Sequence, residues 1–91
     1  MAVSAQVSLY PLGQSDLSPA IQAVWKAFDR HKLMYRMGSM STLLEGDEAT
    51  VFAALCDAFQ AAAEYGGTVM QVTVSNACPP LSSLPTEVAH A

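Results

Sequence analysis

Both ends of the domain carry a strand-type alternation of apolar and polar residues, and this pattern constrains the fold more than any other feature of the chain. Near the N-terminus, apolar residues alternate with Ser4, Gln6 and Ser8. The segment near the C-terminus alternates in the same way, with Thr73 and Ser75 on its polar side. A period of two predicts strands with one buried face. The polar groups of the other face do not titrate near neutral pH, so they favour binding over catalysis.

The middle of the chain contains a helical pattern followed by a hairpin. Ile21, Val24 and Phe28 recur at the spacing of an amphipathic helix, behind candidate caps and a proline suited to a first helical turn. Two short apolar segments, residues 33–38 and 40–45, then predict a pair of strands that a tight turn connects.

A second helix is predicted from Asp47, which is suited to the N-cap position, to the Gly66-Gly67 pair that would end it. We interpret Cys56, which lies inside its apolar stretch, as a small core residue. The residues predicted for its apolar face are Val51, Phe52, Leu55, Phe59, Ala62 and Ala63.

The predicted order of elements is therefore β-α-β-β-α-β. Right-handed crossovers convert this order into an α+β ferredoxin-like sandwich, a four-stranded antiparallel sheet with two helices on one face. The spatial order of the strands would be 4-1-3-2, which leaves the second face of the sheet open. Residues 1–78 would form this single domain, and residues 79–91, rich in proline, serine and small side chains, would form a flexible C-terminal tail.

The composition excludes several classes of protein. The formal net charge is −4 with only four basic residues, too few for a phosphate-binding surface, so nucleic acid is not an expected partner. No segment resembles a signal peptide or a membrane span, and a cytoplasmic location is expected. Because 52% of the residues are hydrophobic and 13% are charged, we expect a homo-oligomer, either a dimer or a tetramer.

Groups for catalysis or metal binding are also lacking in the sequence. It offers no nucleophile paired with a base, no paired carboxylates and no cluster of metal ligands. An acylphosphatase would share the predicted fold but needs an arginine in the loop after the first strand, and residues 11–15 contain none. We therefore predict that the protein is not an enzyme and binds no metal.

The predicted topology indicates a polar patch at one end of the sheet. Hydroxyl and amide groups beside a methionine suit a flat polar heterocycle, because they can bond ring nitrogens while Met40 or Tyr10 covers a ring face. Solvated strand residues and an asparagine that closes a turn explain the same pattern without a ligand. The direction of Ser41 and Thr42 stays open, since Leu43 and Leu44 interrupt the alternation. The patch would comprise Ser4, Gln6, Met40, Ser41, Thr42, Ser75 and Asn76.

Four motifs follow one another over residues 3–79: Ser4-Ala5-Gln6-Val7-Ser8-Leu9-Tyr10-Pro11-Leu12, Gly38-Ser39-Met40-Ser41-Thr42, Glu45-Gly46-Asp47 followed by Val51-Phe52, and Val74-Ser75-Asn76-Ala77-Cys78-Pro79. In this order they resemble the motifs of the YkoF-type family, which binds thiamine or its hydroxymethylpyrimidine half.

The resemblance implies a ferredoxin-like fold, a thiamine-like ligand and no other cofactor, with a role in vitamin uptake or salvage. Some members of that family carry two such domains in tandem. Two copies of this chain would therefore supply the two domains that a tandem member holds in a single chain. The residues within the motifs that we predict to contact the ligand are Gln6, Ser8, Met40, Ser41, Thr42, Ser75 and Asn76.

An alternative hypothesis belongs to another class of protein. The chain could be an assembly or regulatory module like the ACT domains, which would use the open face of its sheet for oligomerisation. Modules of that kind are usually attached to an enzyme, whereas this domain stands alone in the sequence given, which favours the binding hypothesis.

Overall fold

Two helices cover one face of a four-stranded antiparallel sheet in the computed structural model, which describes residues 1–38 and 41–77. The predicted α+β βαββαβ fold is confirmed. Cys78 and the predicted tail, residues 79–91, lie outside the described residues. In chain order the elements are β1 (Ala2–Pro11), α1 (Ser18–Arg30), β2 (Met34–Met37), β3 (Thr42–Asp47), α2 (Glu48–Ala63) and β4 (Thr68–Ser75).

The strands lie in the order β2-β3-β1-β4, so the predicted spatial order is also confirmed. β1 is central and runs antiparallel to both of its neighbours, with Ala5 opposite Leu44 of β3 and Val74 of β4. β2 and β4 form the two edges of the sheet.

The register shows which side chains of β3 face the helices. Directly opposite residues of antiparallel strands point to the same face. Thr42 lies opposite the buried Val7 and therefore faces the helices, whereas Leu43 lies opposite the exposed Gln6 and faces the open side. Leu44 is fully buried in the core. The sequence had left these directions open.

The two helices pack against each other, and several small side chains on them are fully buried. These include Ala20 and Ala27 of α1 and Ala54 of α2. α1 has Pro19 in its first turn, as predicted, but no side chain caps it; the carboxylate of Asp16 instead accepts the backbone N–H of Ser18 at 3.0 Å.

The prediction for the apolar face of α2 is partly wrong. Phe52 is 55% exposed and Phe59 is 43% exposed, and Cys56 is exposed rather than part of the core. The helix contacts the sheet and α1 along a narrower surface than the run of apolar residues suggested, and alanines fill much of that surface. The buried residues of α2 are Val51, Ala54, Leu55, Ala58 and Ala62.

Asp47 is the N-cap of α2, as predicted. Its carboxylate accepts the backbone N–H of Ala49 at 3.2 Å and lies 3.2 Å from the terminal ammonium group of Met1. The hydrogen bond from that ammonium group, followed by the bond from Ala49, lowers the pKa of Asp47 from its usual value of 3.8. The start of β1 and the start of α2 are thus joined through one carboxylate.

We expect the Asp47→Asn variant, which keeps an acceptor for the cap, to lose a pH-dependent part of the stability. The pKa of Asp47 is lower in the folded protein than its usual value of 3.8. Its contribution to the free energy of unfolding is therefore fully present above pH 3.8, and it is lost as the pH falls through the folded pKa. Urea unfolding of the untagged chain from pH 2 to 6 should show the two proteins converging at acidic pH. A stability difference that stays constant across this range would contradict the assignment.

Candidate functional site

The polar patch predicted at one end of the sheet is spread along β1 instead. Because β1 and β3 are antiparallel, the start of β1 lies beside the end of β3, not beside its start. Thr42 lies opposite Val7, while Ser75 lies opposite Ser4. Their partners on β1 are three residues apart, about 10 Å along the strand, and β1 itself lies between Thr42 and Ser75. The expected gathering of these residues at one end is therefore wrong.

Gln6 and Ser41 are the predicted site residues that the fold brings into contact. The side-chain amide of Gln6 donates a hydrogen bond of 3.2 Å to the hydroxyl of Ser41. This bond joins the central strand to the chain just before β3. Ser8 lies two residues further along β1, half-buried, with its side chain on the open face of the sheet. Met40 lies outside the described residues.

Ser75 and Asn76 make local contacts at the other end of β1. The hydroxyl of Ser75 accepts the backbone N–H of Ala77 at 3.0 Å, and the amide of Asn76 lies 3.4 Å from the sulfur of Met1. The Ser75 bond is typical of a turn at the end of a strand. The alternative explanation assigned this turn to the side chain of Asn76, whereas the bond that closes it is made by Ser75.

A cavity of about 290 Å³ lies on the opposite side of the sheet, between α1, β1 and the β2–β3 hairpin. It opens to solvent on one side, and its surface is mainly apolar. Small-molecule sites are usually concave and apolar, with a few polar groups that fix the orientation of the ligand. The residues that line it are Val7, Leu9, Ile21, Val24, Trp25, Phe28, Met37, Gly38, Ser41 and Thr42.

One of the predicted motifs contributes Ser41 and Thr42 to the cavity lining. Thr42 faces the helices, so its hydroxyl can donate and accept a hydrogen bond there. The hydroxyl of Ser41, in contrast, accepts the bond from Gln6 on the open face of the sheet. None of the described residues that line the cavity carries a charge. The cavity therefore suits a flat, uncharged ring with hydrogen-bonding atoms on its edge.

Trp25 and Met37 are candidate functional residues that the sequence analysis did not identify. Trp25 is half-buried and follows Ile21 by one helical turn, so both face the cavity. Ile21, Val24, Trp25 and Phe28 form an apolar face wider than one stripe. The width of this apolar face was the sequence signal for residues that line a cavity. A helix that only covers one face of a sheet needs a narrower apolar stripe.

Tyr35 contacts Phe28, one of the residues that line the cavity. Its ring packs on Phe28 with a centroid distance of 6.0 Å, and its hydroxyl donates a hydrogen bond of 2.9 Å to Asp29. Burial raises the pKa of Tyr35, and the bond to Asp29 raises it further. The tyrosine therefore stays protonated near neutral pH and ties β2 to the end of α1.

Within residues 1–38 and 41–77, no group of three or more histidine, cysteine or acidic side chains could hold a metal ion. His31 contacts Asp57 at 2.5 Å, which links the end of α1 to α2. None of the helices in this part of the chain has the length and hydropathy that a membrane span requires.

Several solved structures share this fold. A hypothetical protein of Methanocaldococcus jannascii is 22% identical, with a TM-score of 0.79 over 91% of this chain and 88% of that chain. A Streptococcus pneumoniae protein is 19% identical, with a TM-score of 0.77 over 92% of this chain and 93% of that chain. A Thermotoga maritima protein provisionally assigned to thiamine biosynthesis or salvage is 13% identical, with a TM-score of 0.73 over 96% and 92%. At these identities the likeness shows the fold alone.

The sequence itself identifies the family. No curated protein matches the chain. The sequence profile of the YKOF-related family, in contrast, matches residues 2–81. This match includes every strand and helix of the structure and all seven residues predicted to contact a ligand. The chain belongs to the YKOF-related family.

Proposed function

We propose that the protein binds thiamine or its hydroxymethylpyrimidine half without catalysing a reaction, and that it acts in uptake or salvage of the vitamin. Two observations support the class of ligand. The chain belongs to the YKOF-related family, and its fold matches that of the Thermotoga maritima protein provisionally assigned to thiamine biosynthesis or salvage.

The observation that carries the proposal is the uncharged cavity beside Trp25. An aminopyrimidine is a flat ring with donors and acceptors on adjacent atoms. The indole of Trp25 offers a surface for such a ring, and the hydroxyl of Thr42 offers a partner for its edge. The volume of about 290 Å³ is near the lower end for ligand sites, which favours a single heterocycle inside the cavity.

In this arrangement Gln6 is a positioning residue. Its amide binds the hydroxyl of Ser41 on the open face, so it would hold the start of β3, and with it Thr42, in place beside the cavity. Ser8 and Ser75 on the open face, and Asn76 just after β4, would then serve a different surface from the one that holds the ring. The charged thiazolium ring of intact thiamine would extend toward the solvent-exposed mouth, because the lining itself offers no carboxylate.

Titration with thiamine and, separately, with hydroxymethylpyrimidine tests the proposal. Trp25 is the only tryptophan, so its fluorescence reports directly on the cavity, and calorimetry gives the stoichiometry. We expect saturable binding of one ligand per chain together with a change in emission. Absence of binding of both ligands at high micromolar concentration would refute the proposal and favour the assembly hypothesis.

Two matched threonine variants separate the cavity from the open face. Thr42→Val removes a hydroxyl from the cavity and should weaken binding roughly 5- to 150-fold, as expected when a ligand atom loses its partner at about 1–3 kcal/mol. Thr73→Val makes the same change on the exposed open face and should leave the affinity unchanged.

The open face has its own test. If the Gln6→Ala, Asn76→Ala double variant abolishes binding while Thr42→Val does not affect it, the ligand lies on the open face instead of in the cavity. Both variants should be compared by calorimetry, with thermal unfolding as a check that the fold is retained.

A further inference from the structure

A second concave surface, with a volume of about 300 Å³, lies between α1 and the end of α2. It opens to solvent and is mainly polar, unlike the apolar cavity between α1 and the β2–β3 hairpin. The two surfaces have no described lining residue in common, although α1 contributes to both. We name the second surface the helix groove and define it by its polar residues, which are Gln22, Lys26, Arg30, Glu64 and Tyr65.

The wall of the groove that α1 forms concentrates positive charge. Gln22, Lys26 and Arg30 follow one another at intervals of four residues, so they share one face of the helix. Two of the four basic residues of a chain with a net charge of −4 thus lie one turn apart. Like charges at this spacing repel and destabilise a helix. The helix C-terminus favours the charge of Arg30, but Lys26 lies a full turn earlier.

No acidic side chain neutralises this wall in the described part of the chain. Neither Lys26 nor Arg30 forms an ion pair within residues 1–38 and 41–77. Asp29, on the same helix, instead accepts the hydroxyl of Tyr35. Glu64 lines the opposite wall and is paired with neither cation. The groove therefore holds unpaired charges of both signs on facing walls, a local arrangement that stability does not explain and that is typical of functional sites.

The chemistry of the lining indicates which ligand fits. The ammonium group of Lys26, the guanidinium group of Arg30, the hydroxyl of Tyr65 and the amide of Gln22 can all donate hydrogen bonds. Phosphate offers three strongly accepting oxygens and matches the guanidinium fork, whereas a carboxylate offers two oxygens. The carboxylate of Glu64 can only accept, so it repels a second anion and attracts an amine.

We propose that the helix groove binds a small phosphorylated amine, without covalent chemistry. The phosphate would contact Lys26 and Arg30, and the ammonium group would face Glu64 on the other wall. Tyr65 and Gln22 would donate to the remaining phosphate oxygens. This site is separate from the cavity beside Trp25, so it does not depend on whether a thiamine-like ligand binds there.

Titration of the full chain with phosphoethanolamine, followed by amide NMR spectra at constant ionic strength, tests this site. We expect saturable shifts at the amides around the helix groove, and weaker binding of both inorganic phosphate and ethanolamine. Lys26→Met and Arg30→Met should each weaken phosphoethanolamine binding roughly 5-fold, because solvent partly screens ion pairs in an open groove. The matched control is Lys32→Met, which removes the same charge from an exposed residue outside the groove and should leave the affinity unchanged.

Glu64→Gln gives the sharpest test because its effects should have opposite signs. Loss of the carboxylate should weaken binding of phosphoethanolamine, whose amine loses its partner, and strengthen binding of inorganic phosphate, which is no longer repelled. General loss of structure would weaken both. Absence of saturable shifts with phosphoethanolamine would overturn the proposal. So would a loss of affinity in Lys32→Met as large as in the two groove variants, since that result would show only general attraction of an anion.

Discussion

Leu44→Ala is expected to lower the free energy of unfolding by about 2–5 kcal/mol, because it opens a cavity at the centre of the core. Leu44 is fully buried, with Ala5 of β1 on one side and Tyr35 of β2 on the other. The small Ala5 side chain cannot fill the space that the leucine leaves. For a domain of this size the loss corresponds to a decrease in Tm of roughly 8 to 40 °C, measurable by circular dichroism or calorimetry.

Leu43→Ala is the matched control for that variant. Leu43 is adjacent in sequence, but it is only half-buried and faces the open side of the sheet. Leu43→Ala should therefore lower the free energy of unfolding clearly less than Leu44→Ala does under the same conditions. An equal or larger loss for Leu43→Ala would show that the register of β3 is shifted by one residue, since such a shift exchanges the two faces.

Trp25→Ala is expected to weaken ligand binding roughly 5- to 150-fold. The indole ring lines the cavity, and stacking of an aromatic side chain on a heterocycle contributes about 1–3 kcal/mol. Truncation also widens the cavity, so the remaining contacts fit the ring less closely. Calorimetric titration with hydroxymethylpyrimidine gives the affinity, and this measurement does not depend on the fluorescence that the substitution removes.

Trp25→Phe separates stacking from general loss of structure. Phenylalanine keeps an aromatic face at the same position of α1, so it should retain most of the affinity that alanine loses. Both variants should have similar unfolding temperatures, because Trp25 is half-buried and not part of the fully buried core. If the alanine variant binds as tightly as wild type, the ring of the ligand does not lie in this cavity.

The fold could be predicted from the sequence because local signals agreed at each element. The alternation of β1, the capping aspartate Asp47 and the helical spacing of α1 each point to one structure, and right-handed crossovers leave few topologies. The exposure of Phe52 and Phe59 could not be predicted in this way. Periodicity shows where a helix is apolar, but neighbouring elements determine how much of that face is buried.

The candidate site was predictable only in part. Ser41 and Thr42 were named from the sequence, and they line the cavity. Their partners on α1 were missed because a cavity arises from the gap between packed elements, which no single segment encodes. The error over the polar patch has a simpler cause. Antiparallel pairing places the start of β3 beside the middle of β1, and this register displaces Ser75 from Thr42 by about 10 Å along the strands, with β1 between them.

The difference between the two edges of the sheet also bears on how far assembly can proceed. A protein with two long, uncharged edges could add copies at both ends, and the product would be an open-ended polymer. Here, β2 is limited to four residues and carries the positive charge of Arg36, so growth at that edge is disfavoured. β4, with eight residues and no charge, is the edge suited to pairing with another strand, so sheet growth through both edges is disfavoured.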